Sequence, residues 1–191
     1  MTSLTLSSNT FPLQADVLGL SAGAREDGEV GSHPARVEQR FLRCPLLGWD
    51  ATLIPLESVL EVFPLPLEAI LSIPDMPDCV MGTLNRRGEF LWLVDLQARL
   101  GAPPLSASGF SQNRLGQGWM GISMSTMGRS LAVGVPEIGD IEAHSADQIQ
   151  AVPPGLFSAE LQPFVAGYLM DEVGATGVIL SPEALLTHPV N

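Results

Sequence analysis

Proline and glycine interrupt this chain so often that its secondary structure elements are predicted to be short. The 191 residues include 16 Pro and 19 Gly, and both residue types disfavour the interior of a helix. Because 46% of the residues are hydrophobic, the chain is still expected to bury a core. The composition therefore predicts an all-β or β-rich fold of many short strands joined by turns.

The charge balance disfavours nucleic acid and anionic lipid as partners. The formal net charge is -12, with 21 acidic residues against nine basic ones, so the field of the protein repels phosphate groups. All nine basic residues are Arg, and a chain without Lys has no Schiff-base or lysine-nucleophile chemistry. No apolar run reaches the roughly 18 residues of a spanning helix, and the N-terminus does not resemble a secretory signal. These features favour a protein partner.

Alternation of apolar and polar residues predicts hairpins. Residues 119–125 and 130–135 alternate on either side of a turn at 127–129 and form one predicted hairpin. A second is predicted around the sequence NRRG, residues 85–88; its second strand is apolar at both parities and is expected to be buried on both faces. Its apolar residues are Phe90, Trp92 and Val94 on one parity and Leu91 and Leu93 on the other.

Two segments share one order of elements. Residues 82–100 and 167–186 each read as glycine, strand, polar turn, strand and capped helix, with Asp95 and Ser181 as the predicted N-caps. This predicts two similarly built β units. Two local features are less defined: residues 55–63, PLESVLEVF, fit one or two helical turns or a bent strand, and residues 1–38 have no sustained period and are predicted to be a flexible tail.

Candidate catalytic and ligand-binding patterns are weak. The sequence GQGWMG, residues 116–121, matches a phosphate-binding pattern, but a strand rather than a helix is predicted to follow it. His33, His144 and His188 are widely separated and lack metal-ligand spacing. Cys44 and Cys79 are expected to be reduced, partly buried thiols. No catalytic residue, metal or cofactor is therefore predicted, and the chain is not expected to be an enzyme.

The NRRG turn contains two residues that favour a tight turn and two that carry positive charge. Asn85 and Gly88 belong to residue types that tolerate the positive φ of a tight hairpin. The turn itself gives no reason for Arg86 and Arg87. An Arg fork suits a carboxylate on a partner or across a cleft, whereas two solubilising turn residues are an equally simple explanation.

Residues 39–187 resemble the CheW-like domain family, the coupling proteins of bacterial chemosensory arrays. The resemblance is carried by RFL (40–42), by ATLIPLESVLEVF (51–63), by IPDMPDCVMGTLNRRGEFLWLVDLQARLG (73–101) and by GVILSPEALL (177–186). It implies a tail at 1–38, a domain at 39–187 and a short C-terminal tail at 188–191. The implied fold is two five-stranded β-barrel subdomains packed side by side, with short helices.

The resemblance implies a non-enzymatic adaptor. Such proteins link the helical cytoplasmic tip of a methyl-accepting receptor to the CheW-like regulatory domain of a CheA-type histidine kinase, which implies a cytoplasmic protein recruited to receptor arrays, without membrane insertion. The positions that match the motifs of the family, and are implied to bind partners, are Val59, Glu61, Gly82, Asn85, Arg86, Arg87 and Gly88. Val59 would supply an apolar anchor for a receptor helix, and Glu61 and Arg87 would set its charge register.

The chain departs from the family pattern at several positions. Arg86 replaces the usual Leu, Trp92 stands where Pro is common, and Pro136-Glu137 replaces an acidic residue. With the long acidic N-terminal segment, these departures resemble the CheW paralogues of phototaxis or type IV pilus motility systems, called PixI or PilI. The alternative from another class is an OB-like nucleic-acid-binding barrel, which the net charge of -12 opposes.

Overall fold

The computed structural model describes residues 38–46, 51–105, 118–170 and 176–188. All of them belong to one compact unit, Ala35–Asn191. Apart from Glu38, the predicted N-terminal tail lies outside the described residues, as do residues 189–191 of the predicted C-terminal tail.

The described segments contain ten strands and two short α-helices. The strands are β1 Glu38–Arg43, β2 Thr52–Pro55, β3 Val59–Pro64, β4 Val80–Arg86, β5 Glu89–Asp95, β6 Met120–Thr126, β7 Arg129–Val135, β8 Ile141–Ser145, β9 Val165–Met170 and β10 Thr176–Leu180; the helices are α1 Leu96–Arg99 and α2 Pro182–Thr187. They form two five-stranded sheets, of order β8-β1-β2-β10-β9 (the first sheet) and β3-β6-β7-β5-β4 (the second sheet). The predicted all-β architecture is confirmed.

Both sheets follow one pairing plan. In the first, the antiparallel pairs β1/β2 and β9/β10 meet through the parallel pair β2/β10; in the second, β6/β7 and β4/β5 meet through the parallel pair β5/β7. The fifth strand is exchanged, because β3 follows β2 along the chain but pairs with β6, and β8 follows β7 but pairs with β1. The predicted similarity of the two units is confirmed, and the exchange ties the sheets together.

Side-chain parity divides the interior into three clusters. A large cluster lies between the sheets and includes Leu42, Ile54, Ile122, Val133 and Val178. The opposite faces of the same strands bury smaller clusters, one within each sheet: Phe63, Leu84, Leu93 and Trp119 in the second sheet, and Phe41, Leu53 and Ile179 in the first. Adjacent residues such as Leu53 and Ile54 therefore lie in different clusters, as the two-residue period of a strand requires.

Both cysteines are free and buried in the large cluster, whereas the sequence predicted partly buried thiols. Burial raises the pKa of the Cys44 thiol to about 12, because an apolar surrounding disfavours the charged thiolate.

The prediction that β5 is buried on both faces is wrong for two residues. Phe90 is 67% exposed and Trp92 is 45% exposed. Leu91 and Leu93 lie within the second sheet's own cluster, and Val94 reaches the cluster between the sheets. The face of β5 that carries Phe90, Trp92 and Val94 is therefore covered only at its Val94 end.

The sequence predicted the N-caps of both helices correctly, but it left open the structure of residues 55–63. The Asp95 side chain accepts a hydrogen bond from the Ala98 amide at the start of α1, and the Ser181 side chain accepts one from the Ala184 amide at the start of α2. Residues 55–63 resolve into a single 3-10 turn, Leu56–Ser58, followed by strand β3. Neither helix of the described segments has the length and apolar character to cross a membrane.

Candidate functional site: the corner of β3 and the β4–β5 turn

The NRRG sequence forms a two-residue hairpin turn whose geometry differs from the prediction. Arg86 pairs with Glu89, so the turn residues are Arg87 and Gly88, with φ of 52° and 88°. Two successive positive φ values define a type I′ turn. Asn85 is not at positive φ but in β4, where its Oδ1 accepts a hydrogen bond from the Gly88 amide at 3.1 Å. Arg87, rather than Asn85, therefore occupies the left-handed position.

Arg86 joins the two edges of the second sheet. Its Nη2 donates to Glu61 Oε1 at 2.5 Å, and Glu61 lies on β3 whereas Arg86 lies on β4, the two strands at opposite ends of the strand order. Its guanidinium carbon also lies 4.2 Å from the ring centroid of Phe63, within cation–π range. The sheet thus curls until its edges meet, and Arg86, which the turn alone left unexplained, holds that closure.

Arg87 makes a looser contact with the same carboxylate. Its Nη2 lies 3.4 Å from Glu61 Oε1, and its side chain is 82% exposed, against 32% for Arg86. The hydrogen bond from Arg86 lowers the pKa of Glu61; burial opposes it, and the charges of Arg86 and Arg87 reinforce it. Glu61 is therefore an ionised carboxylate held by Arg86, with Arg87 exposed beside it and able to engage an outside carboxylate.

The exposed apolar residues of β3 are Leu60 and Val62, whereas the sequence indicated Val59. Val59 is half-buried and packs on the cluster between the sheets. Leu60 and Val62 flank Glu61 and are 65% and 38% exposed. The pairing of β3 with β6 shifts register between Val59 and Glu61, which places a bulge at Leu60. Strict alternation along VLEVF, with Phe63 taken as buried, would have marked Leu60 and Val62 as outward-facing.

Gly82 has a role in the backbone rather than on the surface. Its φ is 137°, and a Cβ there would lie 2.8 Å from the carbonyl carbon of Leu71 and closer still to its oxygen. Leu71 crosses β4 at this point, and its amide and carbonyl exchange hydrogen bonds with Thr83. A side chain at residue 82 would collide with this crossing segment. Gly167 occupies the matching place in the first sheet, beside the bridge between Gln150 and Tyr168.

The structure thus brings four of the predicted site residues into one corner: Glu61, Arg86, Arg87 and Gly88. Asn85 supports the turn, whereas Val59 and Gly82 serve packing. We use the name β3–turn corner for Glu61, Arg86 and Arg87 together with Leu60 and Val62, the exposed neighbours of Glu61 along β3.

The described residues outside this corner give no support to a nucleotide site. Of the GQGWMG sequence the structure describes residues 118–121, in which Met120 opens strand β6 and the Phe63 ring fills the space that a Cβ of Gly121 would need. No helix begins there, so the amide cradle of a phosphate site is missing from these four residues. Within the described segments no group of three or more His, Cys, Asp or Glu side chains could hold a metal ion.

A model of the CheW-like domain matches residues 46–190. The chain belongs to the CheW-like domain family. Among solved structures, the chain is similar to the scaffolding protein TtCheW from Thermoanaerobacter tengcongensis, with a TM-score of 0.61 and 18% sequence identity over 76% of this chain and 90% of that one. At this identity the likeness concerns the fold, and the two five-stranded sheets agree with it. No curated protein matches the chain.

Proposed function

We propose that this CheW-like chain is a non-enzymatic scaffold that couples a methyl-accepting receptor to a CheA-type histidine kinase. The family supports a scaffold role in chemotaxis, and the solved structure with the same fold is described as a scaffolding protein. The observation that carries the proposal is the ion pairing of Glu61 with Arg86 and Arg87 beside the exposed Leu60. This corner combines apolar surface with an exposed cation, which is the composition of a partner contact.

The receptor tip is a helical bundle, so we assign the β3–turn corner a helix-in-groove contact. Leu60 and Val62 supply apolar surface for the helix. Arg87 supplies the charge that pairs with an acidic residue on the helix, because its side chain is 82% exposed and its contact with Glu61 is long. Arg86 acts through Glu61 as a positioning residue, since it is held between that carboxylate and the Phe63 ring.

The finer placement of the protein is also a proposal. We assign it to the cytoplasm, recruited to receptor arrays, and to a phototaxis or type IV pilus system of the PixI or PilI kind. Support for this branch comes from Arg86, whose bond to Glu61 has no counterpart in a chain with the usual Leu at that position. A partner helix at this corner therefore meets a charged pair where most family members present a leucine.

The test uses the full chain with two partners from the same organism, a receptor tip fragment and the regulatory domain of a CheA-type kinase. Co-elution with both is expected. Arg87→Glu is expected to weaken receptor binding about tenfold, equivalent to about 1.4 kcal/mol, with a melting temperature close to that of the wild type because Arg87 is exposed. Leu60→Ser should weaken the same complex.

Arg40→Glu is the matched control. Arg40 is an exposed Arg on β1 that forms no ion pair within the described segments, so the substitution makes the same change of net charge in the other sheet. The scaffold proposal fails if the chain binds neither partner. The assignment of the corner fails if Arg87→Glu and Arg40→Glu weaken receptor binding equally, because the effect then belongs to net charge.

A further inference from the structure

An open groove lies between β5, β7 and α2. It has a volume of about 450 Å³ and is lined by Met76, Val80, Trp92, Val94, Arg99, Arg129, Ser130, Leu131, Leu185, Leu186 and His188. We call it the β5–α2 groove. The volume falls in the range of sites that hold ligand or partner side chains. None of these residues belongs to the β3–turn corner.

The floor of the groove is apolar and partly open to solvent. Trp92 is 45% exposed and Met76 is 36% exposed, whereas Leu131 and Leu185 are nearly buried beneath them. Exposed aromatic and Met side chains over a buried aliphatic base are typical of interface cores. Trp92 is also the residue that stands where the family commonly has Pro, so the surface is a particular feature of this chain.

The charge of the groove is opposite to that of the chain. Its lining contains two Arg and one His and no Asp or Glu, although the chain carries 21 acidic residues and a net charge of -12. Arg99 is engaged, since it donates to the His188 carbonyl at 2.6 Å and stacks on the Phe164 ring. Arg129 is exposed and forms no ion pair with any residue the structure describes. A carboxylate entering the groove would find Arg129 at its rim.

The strand pairing selects the form of the occupant. β5 is paired on both sides, by β4 and β7, and β7 is paired by β5 and β6. Over residues 93–95 of β5 and 132–134 of β7, neither strand therefore offers free amide and carbonyl groups to an added strand. A bound segment has to satisfy its own backbone and make contact through side chains, which is what an α-helix does.

We propose that the β5–α2 groove binds an amphipathic helix of a protein partner. The apolar side chains of this helix pack against Trp92 and Leu131, and one of its carboxylates pairs with Arg129. This surface is separate from the β3–turn corner, and the inference does not depend on the proposed receptor contact. A scaffold with both surfaces holds two helical segments at once.

The probe is a fluorescein-labelled model helix of about 18 residues, long enough to be helical alone, with Leu at every third or fourth position and Glu on the flanking positions. Its fluorescence anisotropy is expected to show saturable binding to the full chain. Arg129→Glu should weaken binding about tenfold, whereas the matched Arg40→Glu should change it about twofold at most. The same peptide with Lys in place of Glu should bind far more weakly.

Trp92→Ser is expected to remove most of the binding, because it deletes the largest exposed apolar surface of the groove. Melting curves show whether this variant is folded, and Met76→Ser serves as a second, milder variant of the same groove. Absence of saturable binding overturns the proposal. Equal binding of the Glu and Lys peptides, or equal losses in Arg129→Glu and Arg40→Glu, overturns it as well, because the groove then does not select an acidic helix.

Discussion

Gly82→Ala is expected to destabilise the fold strongly. The residue has a φ of 137°, which L side chains rarely adopt, and its Cβ would overlap the Leu71 carbonyl. Backbone strain of this kind costs about 1–3 kcal/mol, and forcing a methyl group into a packed site costs about 1–3 kcal/mol more. The sum of about 4 kcal/mol corresponds to a melting temperature lower by about 12 °C for a chain of this size.

Two other glycines separate the two causes. Gly88 has a φ of 88° with nothing within 4 Å of its Cβ position, so Gly88→Ala adds strain alone, about 1 kcal/mol or about 3 °C. Gly167 has no positive φ, but a Cβ would lie 2.8 Å from Cγ2 of Ile149. Gly167→Ala therefore adds crowding against the Ile149 side chain and, at 3.2 Å, the Gln150 carbonyl oxygen, without positive-φ strain, and an intermediate loss is expected.

The assay is thermal and urea unfolding of the three variants, together with receptor binding measured well below each melting temperature. We expect the order Gly82 first, Gly167 second and Gly88 last in loss of stability, and unchanged affinity for the folded fraction of Gly82→Ala. A wild-type melting temperature for Gly82→Ala combined with lost receptor binding would refute the structural role and return Gly82 to the contact surface, as the sequence resemblance implies.

Three further predictions follow from single contacts. Arg87→Asn should raise the melting temperature by about 2 °C, because Asn tolerates positive φ better, while weakening receptor binding; a lower melting temperature would contradict the type I′ turn. Burial raises the pKa of Glu142, but the hydrogen bonds from Arg43 and His144 outweigh it and hold the pKa below 4.5. Its ionised form therefore stabilises the fold above that value, and this contribution disappears as the pH falls through the lowered pKa. The free energy of unfolding, measured with urea from about pH 6 to about pH 3, should fall less steeply for Glu142→Gln than for the wild type. Equal dependence on pH in the two proteins would refute the linkage. Cys44, buried with a pKa of about 12, should escape iodoacetamide at about pH 8 in the folded chain and react after unfolding; mass spectrometry of the folded chain showing it alkylated would contradict its burial.

Much of the fold was predictable because its signals are local. The β6–β7 hairpin follows from a two-residue period on either side of a glycine-containing turn, and the starts of α1 and α2 follow from Asp95 and Ser181. The repeated order of strand, turn, strand and helix indicated two similar units before their pairing was known. The exchange of β3 and β8 between the sheets was not predictable, because no local signal says which distant strand an edge will join.

The candidate site was likewise predictable from the sequence only in part. The sequence drew attention to Glu61, Arg86 and Arg87, but it assigned the arginines no structural partner and took Val59 as the apolar anchor. Leu60 and Val62, which alternation from the buried Phe63 would have indicated, are the exposed apolar residues instead. Curling of the second sheet brings Glu61 to Arg86 across 25 residues of chain.

By itself, the sequence determined the short strands, the caps, the tight turn and the acidic charge, because each depends on residues within a few positions of one another. Tertiary structure decided that Arg86 closes a sheet, that Gly82 makes room for a crossing segment and that Trp92 lies in an open groove. The physical reason is that each of these roles depends on the segment packed against the residue, and that segment is distant in the sequence.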